Sequence, residues 1–136
     1  MTREDREHEI ADQITYLDQL NDHLRSENPG AALGVLGFSQ GVATACRWAV
    51  AGRTDIQRLV LWGGTFPPDI GTATMATRLS TCRVALVHGD RDAIVPASAG
   101  TQAAARLREA GVPFTLHTYA GGHDLDPITL GRLLND

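Results

Sequence analysis

The sequence predicts a single α/β domain in which a parallel sheet is flanked by helices. Three observations carry that expectation. Short apolar runs alternate with longer stretches of helical periodicity along the chain. The fourteen glycines cluster at the ends of those runs, where strand-to-helix turns fall. The residues best suited to chemistry follow directly after apolar runs, at the carboxyl end of a parallel sheet, where ligands gather. A chain of 136 residues and 14.6 kDa has room for one ordinary domain, spanning residues 1–136.

Taken in order, residues 3–26 read as an amphipathic helix, with Ile10, Ile14, Leu17, Leu20 and Leu24 recurring at helical spacing. Asn28-Pro29-Gly30 ends it. Residues 31–38 form an apolar run too short for a helix and suited to a buried strand. Residues 40–51 are apolar almost all round and too long for a strand, which predicts a buried helix closed by Gly52. A second strand is expected at residues 58–62, before Gly63-Gly64. The Thr- and Pro-containing stretch 65–82 lacks periodicity and has space for one short helix. Residues 83–87 give a third strand, running into His88-Gly89-Asp90. Residues 97–110 are helical, with Gly111 and Pro113 just beyond. Residues 114–119 alternate apolar and polar side chains, as a more exposed strand does, and residues 127–134 form a last helix. No repeat, low-complexity stretch or interdomain linker interrupts the pattern.

Composition narrows the function. Twelve Lys+Arg against sixteen Asp+Glu give a formal net charge of −4, which argues against nucleic acid as a partner. No apolar run reaches the ~18–20 residues of a membrane span, and the charged start MTREDREHEI does not read as a secretory signal. Cys46 and Cys82 lack the spacing of a metal knuckle or redox pair, so both are expected as reduced thiols in a cytoplasmic protein. No pair of histidines has metal-ligand spacing with a third ligand, so no metal is expected, and no glycine-rich phosphate loop occurs.

Gly37-Phe38-Ser39-Gln40-Gly41 fits the G-x-S-x-G elbow, in which a sharp strand-to-helix turn lifts a serine hydroxyl above the sheet. Glycines at both ends would let strand and helix approach. The same serine would equally suit a helix N-cap. A nucleophilic serine needs a base, and the base an orienting acid. Asp92 follows the third strand in HGDRDAIVP, and His123 follows the fourth in YAGGHD. The order Ser39, Asp92, His123 is that of the α/β-hydrolase arrangement. Asp90 competes for the acid role, and Asp124 is a more remote third choice. His8 and His23 are expected at the surface of the first helix and His117 within a strand. His88 is expected to support the Asp92 turn, and Cys46 to pack in the core.

Together GFSQG, HGDRDAIVP and YAGGH resemble the phospholipase/carboxylesterase family of α/β-hydrolases, which includes the acyl-protein thioesterases. The resemblance implies that Ser39 is the nucleophile, Asp92 the triad acid and His123 the base. It also implies that the backbone N–H of Gln40 is one oxyanion donor. Carboxylic esters, lysophospholipids or acyl thioesters would be cleaved through an acyl-enzyme, without a cofactor. The resemblance covers most of the chain but only the later part of the family's fold. The earlier strands, and the loop that gives the second oxyanion donor, have no counterpart here. On that expectation the serine-bearing strand becomes a sheet edge, open to a homodimer or an N-terminal fragment. An impaired hydrolase-fold remnant serving as a binding module is the alternative reading. Leu61, Trp62, Phe66 and Pro67-Pro68 are expected to line part of an apolar pocket beside the elbow.

Overall fold

The computed structural model describes residues 2–135. Its elements are α1 (Arg3–Glu27), β1 (Gly34–Phe38), α2 (Gly41–Ala51), β2 (Arg58–Trp62), α3 (Thr72–Arg78), β3 (Arg83–Gly89), α4 (Ala97–Glu109), β4 (Phe114–Tyr119) and α5 (Pro127–Leu134). The four strands form one parallel sheet in the order β1-β2-β3-β4. Sequential order with a helix in every crossover is the expected outcome of alternating strand and helix patterns.

The strand sequences explain the layering. Side chains alternate across a sheet, so Leu59 and Leu61 of β2 and Val84 and Leu86 of β3 face one side. There they meet Val42, Cys46 and Trp48 of α2, Met75 of α3 and Ala103 and Leu107 of α4. Val60, Trp62, Ala85 and Val87 face the other side, against Tyr119 and Leu133. β2 and β3 are therefore apolar on both faces, as interior parallel strands must be. β1 and β4 are the edges, which accounts for the exposure of Leu36 and Leu116.

Helix ends follow local chemistry. Thr2 and Asp5 form a reciprocal capping box at the start of α1, and Asn28 closes it by donating to the Leu24 carbonyl at 3.0 Å. Asp126 caps α5 ahead of Pro127, accepting the Thr129 N–H at 3.0 Å.

The structure departs from the sequence expectation in three places. β1 begins at Gly34, not residue 31, because its pairing starts at Gly34 opposite Arg58. β3 runs on to Gly89, because β4 continues to pair with it as far as Gly89 opposite Tyr119. In α1, Ile14 and Leu17 pack on the core, but Leu20 and Leu24 are exposed and the buried positions are Asp18 and Asn21. The reason lies in α2 and the turn after it. The Asp18 carboxylate accepts from the Trp48 indole N–H at 2.9 Å, the Thr54 hydroxyl at 2.6 Å and the Arg53 backbone N–H at 3.2 Å. Burial pushes that carboxyl up, but the Thr54, Trp48 and Arg53 hydrogen bonds outweigh it and hold Asp18 below the usual carboxylate range. A buried charge with its lone pairs satisfied can replace a leucine at this seam.

Candidate active site

Ser39 occupies the single residue between β1 and the N-cap of α2, Gln40. Its φ is +58°, the one left-handed non-glycine residue among those described. That conformation costs a non-glycine residue roughly 1–2 kcal/mol. Both peptide groups of Ser39 are tied down: its N–H donates to the Trp62 carbonyl at 2.9 Å, and its carbonyl accepts from Val42 at 3.1 Å. The strain is thus fixed by β2 on one side and α2 on the other. Ser39 does not act as the N-cap that its residue type also allowed. Gln40 holds that position, with no side-chain capping bond, and the Ser39 hydroxyl points elsewhere.

It points at His123. Ser39 Oγ lies 2.9 Å from His123 Nε2, and His123 Nδ1 lies 2.7 Å from Asp92 Oδ2. Asp92 divides its oxygens between two tasks. Oδ1 accepts the N–H groups of Ile94 and Val95, each at 2.8 Å, which folds the loop after β3 around the carboxylate. Oδ2 is left to orient the imidazole. The Asp92 side chain is 2% exposed and that of His123 19%, so the pair is largely shielded while the ring still reaches the surface. Burial raises the Asp92 carboxyl, but the Val95 N–H, the His123 ring and the Ile94 N–H together hold it below the usual range. It is therefore a carboxylate at neutral pH.

The loop carrying His123 is fastened to the sheet by Tyr119, at the head of YAGGH, and by Trp62 of β2. Tyr119 Oη donates toward the carbonyls of Gly122 and Asp124, and the Trp62 indole N–H donates to the same Asp124 carbonyl at 2.9 Å. The loops after β3 and β4 are also joined to each other. Asp90 N–H donates to Tyr119 O at 3.0 Å, Arg91 N–H to Gly121 O at 2.8 Å, and Gly121 N–H to the Asp90 carboxylate at 3.0 Å. A Cβ on Gly89 would fall 2.5 Å from the carbonyls of Gly121 and Gly122, so only glycine permits this contact. The Phe38 ring packs 5.0 Å from the imidazole, and Gly63, at φ +60°, passes beneath both His123 and Asp92.

Other candidates are placed away from the triad geometry. Asp90 holds Gly121, and Asp124 contributes its carbonyl to Trp62 and Tyr119. His88 is buried behind the Asp92 turn against Gly100, and burial lowers its pKa despite the nearby Asp92 charge. Cys46 is a core residue whose thiol is pushed up to about 12 by burial. His8 and His23 are exposed on α1. Among the described residues no group of three or more His, Cys, Asp or Glu side chains could hold a metal ion. None of the described helices is long and apolar enough to cross a membrane.

A cavity of about 570 Å³ opens beside Ser39 and Gln40, bounded by α1, α2, Thr65 and Val95. The apolar residues expected there lie elsewhere. Leu61 and Trp62 are core residues, 2% and 0% exposed, because β2 is interior. Phe66 and Pro68 line a separate groove of about 420 Å³ against α4, which meets the Ser39 cavity at Thr65.

A parallel sheet with a strained serine turn after its first strand and acid and histidine loops after its third and fourth has the architecture of an α/β-hydrolase fold. Residues 1–135 match the Phospholipase/Carboxylesterase family, and the chain belongs to that family. Solved structures of similar fold include Arabidopsis thaliana SOBER1, at 20% identity and a TM-score of 0.73, with 93% of this chain aligned to 61% of that one. Zea mays acyl-protein thioesterase 2 aligns at 23% identity and a TM-score of 0.70, over 90% of this chain and 62% of its own. An uncharacterized Bacillus cereus protein reaches a TM-score of 0.78 at 16% identity, over 93% of this chain and 42% of its own. The chain thus spans about three fifths or less of the length of these structures. Comparison with curated protein sequences finds no match.

Proposed function

We propose that this chain carries the catalytic triad of a serine carboxylic ester hydrolase, of esterase, lysophospholipase or acyl-thioesterase type. The observation that carries the reading is the continuous Ser39–His123–Asp92 hydrogen-bond chain, with contacts of 2.9 and 2.7 Å, behind a serine held at φ +58°. Family membership and the fold of an acyl-protein thioesterase support it.

In this reading Ser39 Oγ attacks the acyl carbonyl as His123 Nε2 takes its proton. Asp92 keeps Nδ1 protonated, which leaves Nε2 free to accept, and its charge stabilises the imidazolium that forms. The tetrahedral oxyanion lies over the start of α2, where the Gln40 N–H stands outside the helical ladder. Collapse expels the alcohol or thiol, which collects the proton from His123. Water, activated by the same imidazole, then releases the acid from Ser39. No step needs a metal or cofactor.

The test is turnover of a chromogenic ester by the chain and by Ser39→Ala. The reading requires hydrolysis that the variant loses. Equal turnover by both proteins would refute the assignment of Ser39.

A further inference from the structure

The cavity beside Ser39 has an unusual wall. Arg6, Glu9, Ile10 and Gln13 follow i, i+3, i+4, i+7 spacing, so the N-terminal half of α1 turns one continuous face into it. Only Ile10 on that face is apolar. Among the described residues, no side-chain hydrogen bond or ion pair engages Arg6, Glu9 or Gln13, and all three are exposed. The opposite wall supplies Arg47, already bound to Asp69 by contacts of 3.0 and 3.3 Å.

We propose that this α1 face selects esters carrying a neutral, hydroxyl-bearing group near the scissile carbonyl, a substrate class that rests on the hydrolase reading above. Charge argues for neutrality. Within the lining Arg6 stands one turn from Glu9, and Arg47 is already paired with Asp69 outside it, so a charged group of either sign meets its own sign as well as the opposite one. A hydroxyl suits the wall because it both donates and accepts: it can give its proton to the Glu9 carboxylate while accepting from the Gln13 amide or the Arg6 guanidinium. A bare methylene chain laid along this face would strip water from the same three side chains and gain only the Ile10 contact in return. The apolar groove of Phe66 and Pro68 lies beyond Thr65, on the other side of the cavity, so it does not relieve that penalty on the α1 side.

The hydroxyl can belong to the alcohol or to the acyl part, and two comparisons separate these sources. Glyceryl monobutyrate is measured against propyl butyrate, and propyl 3-hydroxybutyrate against propyl butyrate, each as kcat/KM. One hydroxylated ester should be preferred about tenfold, the effect of one or two neutral hydrogen bonds. In Glu9→Ala and Gln13→Leu, both at exposed positions of α1, that ratio should fall toward one. Ratios at or below one on both arms would overturn the proposal. So would a preference that persists in both variants, or a loss shared equally by plain and hydroxylated esters. Failure of the hydrolase reading looks different: no ester at all is turned over by the unaltered chain.

Discussion

The two glycines of the serine turn make unequal demands, and replacing each by alanine tests how the turn is built. A Cβ on Gly37 would stand 2.4 Å from the Gly41 carbonyl oxygen, 2.8 Å from its carbon and 3.0 Å from the Ala45 Cβ. Two of those three atoms are backbone, so no side chain can swing away. Reaching ordinary contact requires β1 and the first turn of α2 to separate by close to 1 Å. Overpacking of this kind costs about 1–3 kcal/mol. For a domain of this size that is roughly 5–10 °C of melting temperature for a 2 kcal/mol loss. A shift of that size beneath the nucleophile should also slow acylation about 100-fold. Gly41 differs: a Cβ there meets nothing within 4 Å, and the residue is helical with no positive φ. Gly41→Ala should therefore fold at least as well as the parent, gaining up to ~1 kcal/mol from helix propensity. The assays are thermal unfolding by circular dichroism and the rate of reaction with a fluorophosphonate. A Gly37→Ala protein that melts and reacts like the parent would refute this account of the elbow, as would a Gly41→Ala protein as damaged as Gly37→Ala.

Asp92→Asn keeps an oxygen for the Ile94 and Val95 N–H groups but removes the charge facing His123, so kcat for an ester should drop about 10⁴-fold with little change in melting temperature. Tyr119→Phe deletes the hydroxyl that bridges the Gly122 and Asp124 carbonyls; a loosened His123 loop should lower kcat roughly tenfold, measured beside an unfolding curve that moves by only a few degrees. Asp18→Ala strands the Trp48 indole N–H and the Thr54 hydroxyl in the α1–α2 seam and should cost about 2–4 kcal/mol in urea unfolding. Stability should also fall with acid in two stages. Burial holds His88 below 6.5, so the unfolded chain takes up a proton first as pH drops through 6.5. Asp18 and Asp92 lie below 3.8 when folded, so their contribution is intact above that value and is lost as pH falls through the folded pKa. Urea midpoints across pH 3–8 check both stages, and a midpoint that stays level from pH 7 to 5 would contradict the His88 assignment.

Much of the fold was legible because β2 and β4 are bounded by glycines, prolines and polar residues that leave little choice of register. β2 at residues 58–62, β4 at 114–119 and α5 at 127–134 fall where the sequence placed them. β1 and β3 were misjudged at their ends because strand length is decided by the partner's reach, which no single strand records. The face of α1 was misread for a related reason. Periodicity marks Leu20 and Leu24 as buried, but the helix rests on α2, where Asp18 finds three donors. At the site, Ser39, Asp92 and His123 could be proposed from order along the chain. Spacing alone leaves Asp90 and Asp92 as rivals in one turn; the resemblance points to Asp92, whose carboxylate lies 2.7 Å from His123 Nδ1, while Asp90 holds the Gly121 N–H. Trp62 and the cavity-facing side of α1 carried no motif, and Tyr119 stands in YAGGH without any sign there of what its hydroxyl holds. Gly63-Gly64 and Tyr119-Ala120-Gly121-Gly122 were the available signals that two loops approach each other closely.

The account turns on whether Ser39 is activated in this chain, and intact-mass analysis after treatment with a fluorophosphonate reads that directly. One phosphonyl adduct per chain is expected, absent from Ser39→Ala and formed far more slowly in Asp92→Asn. A folded chain that gains no adduct, or a Ser39→Ala chain that gains the same one, would contradict the claim that Ser39, His123 and Asp92 act together.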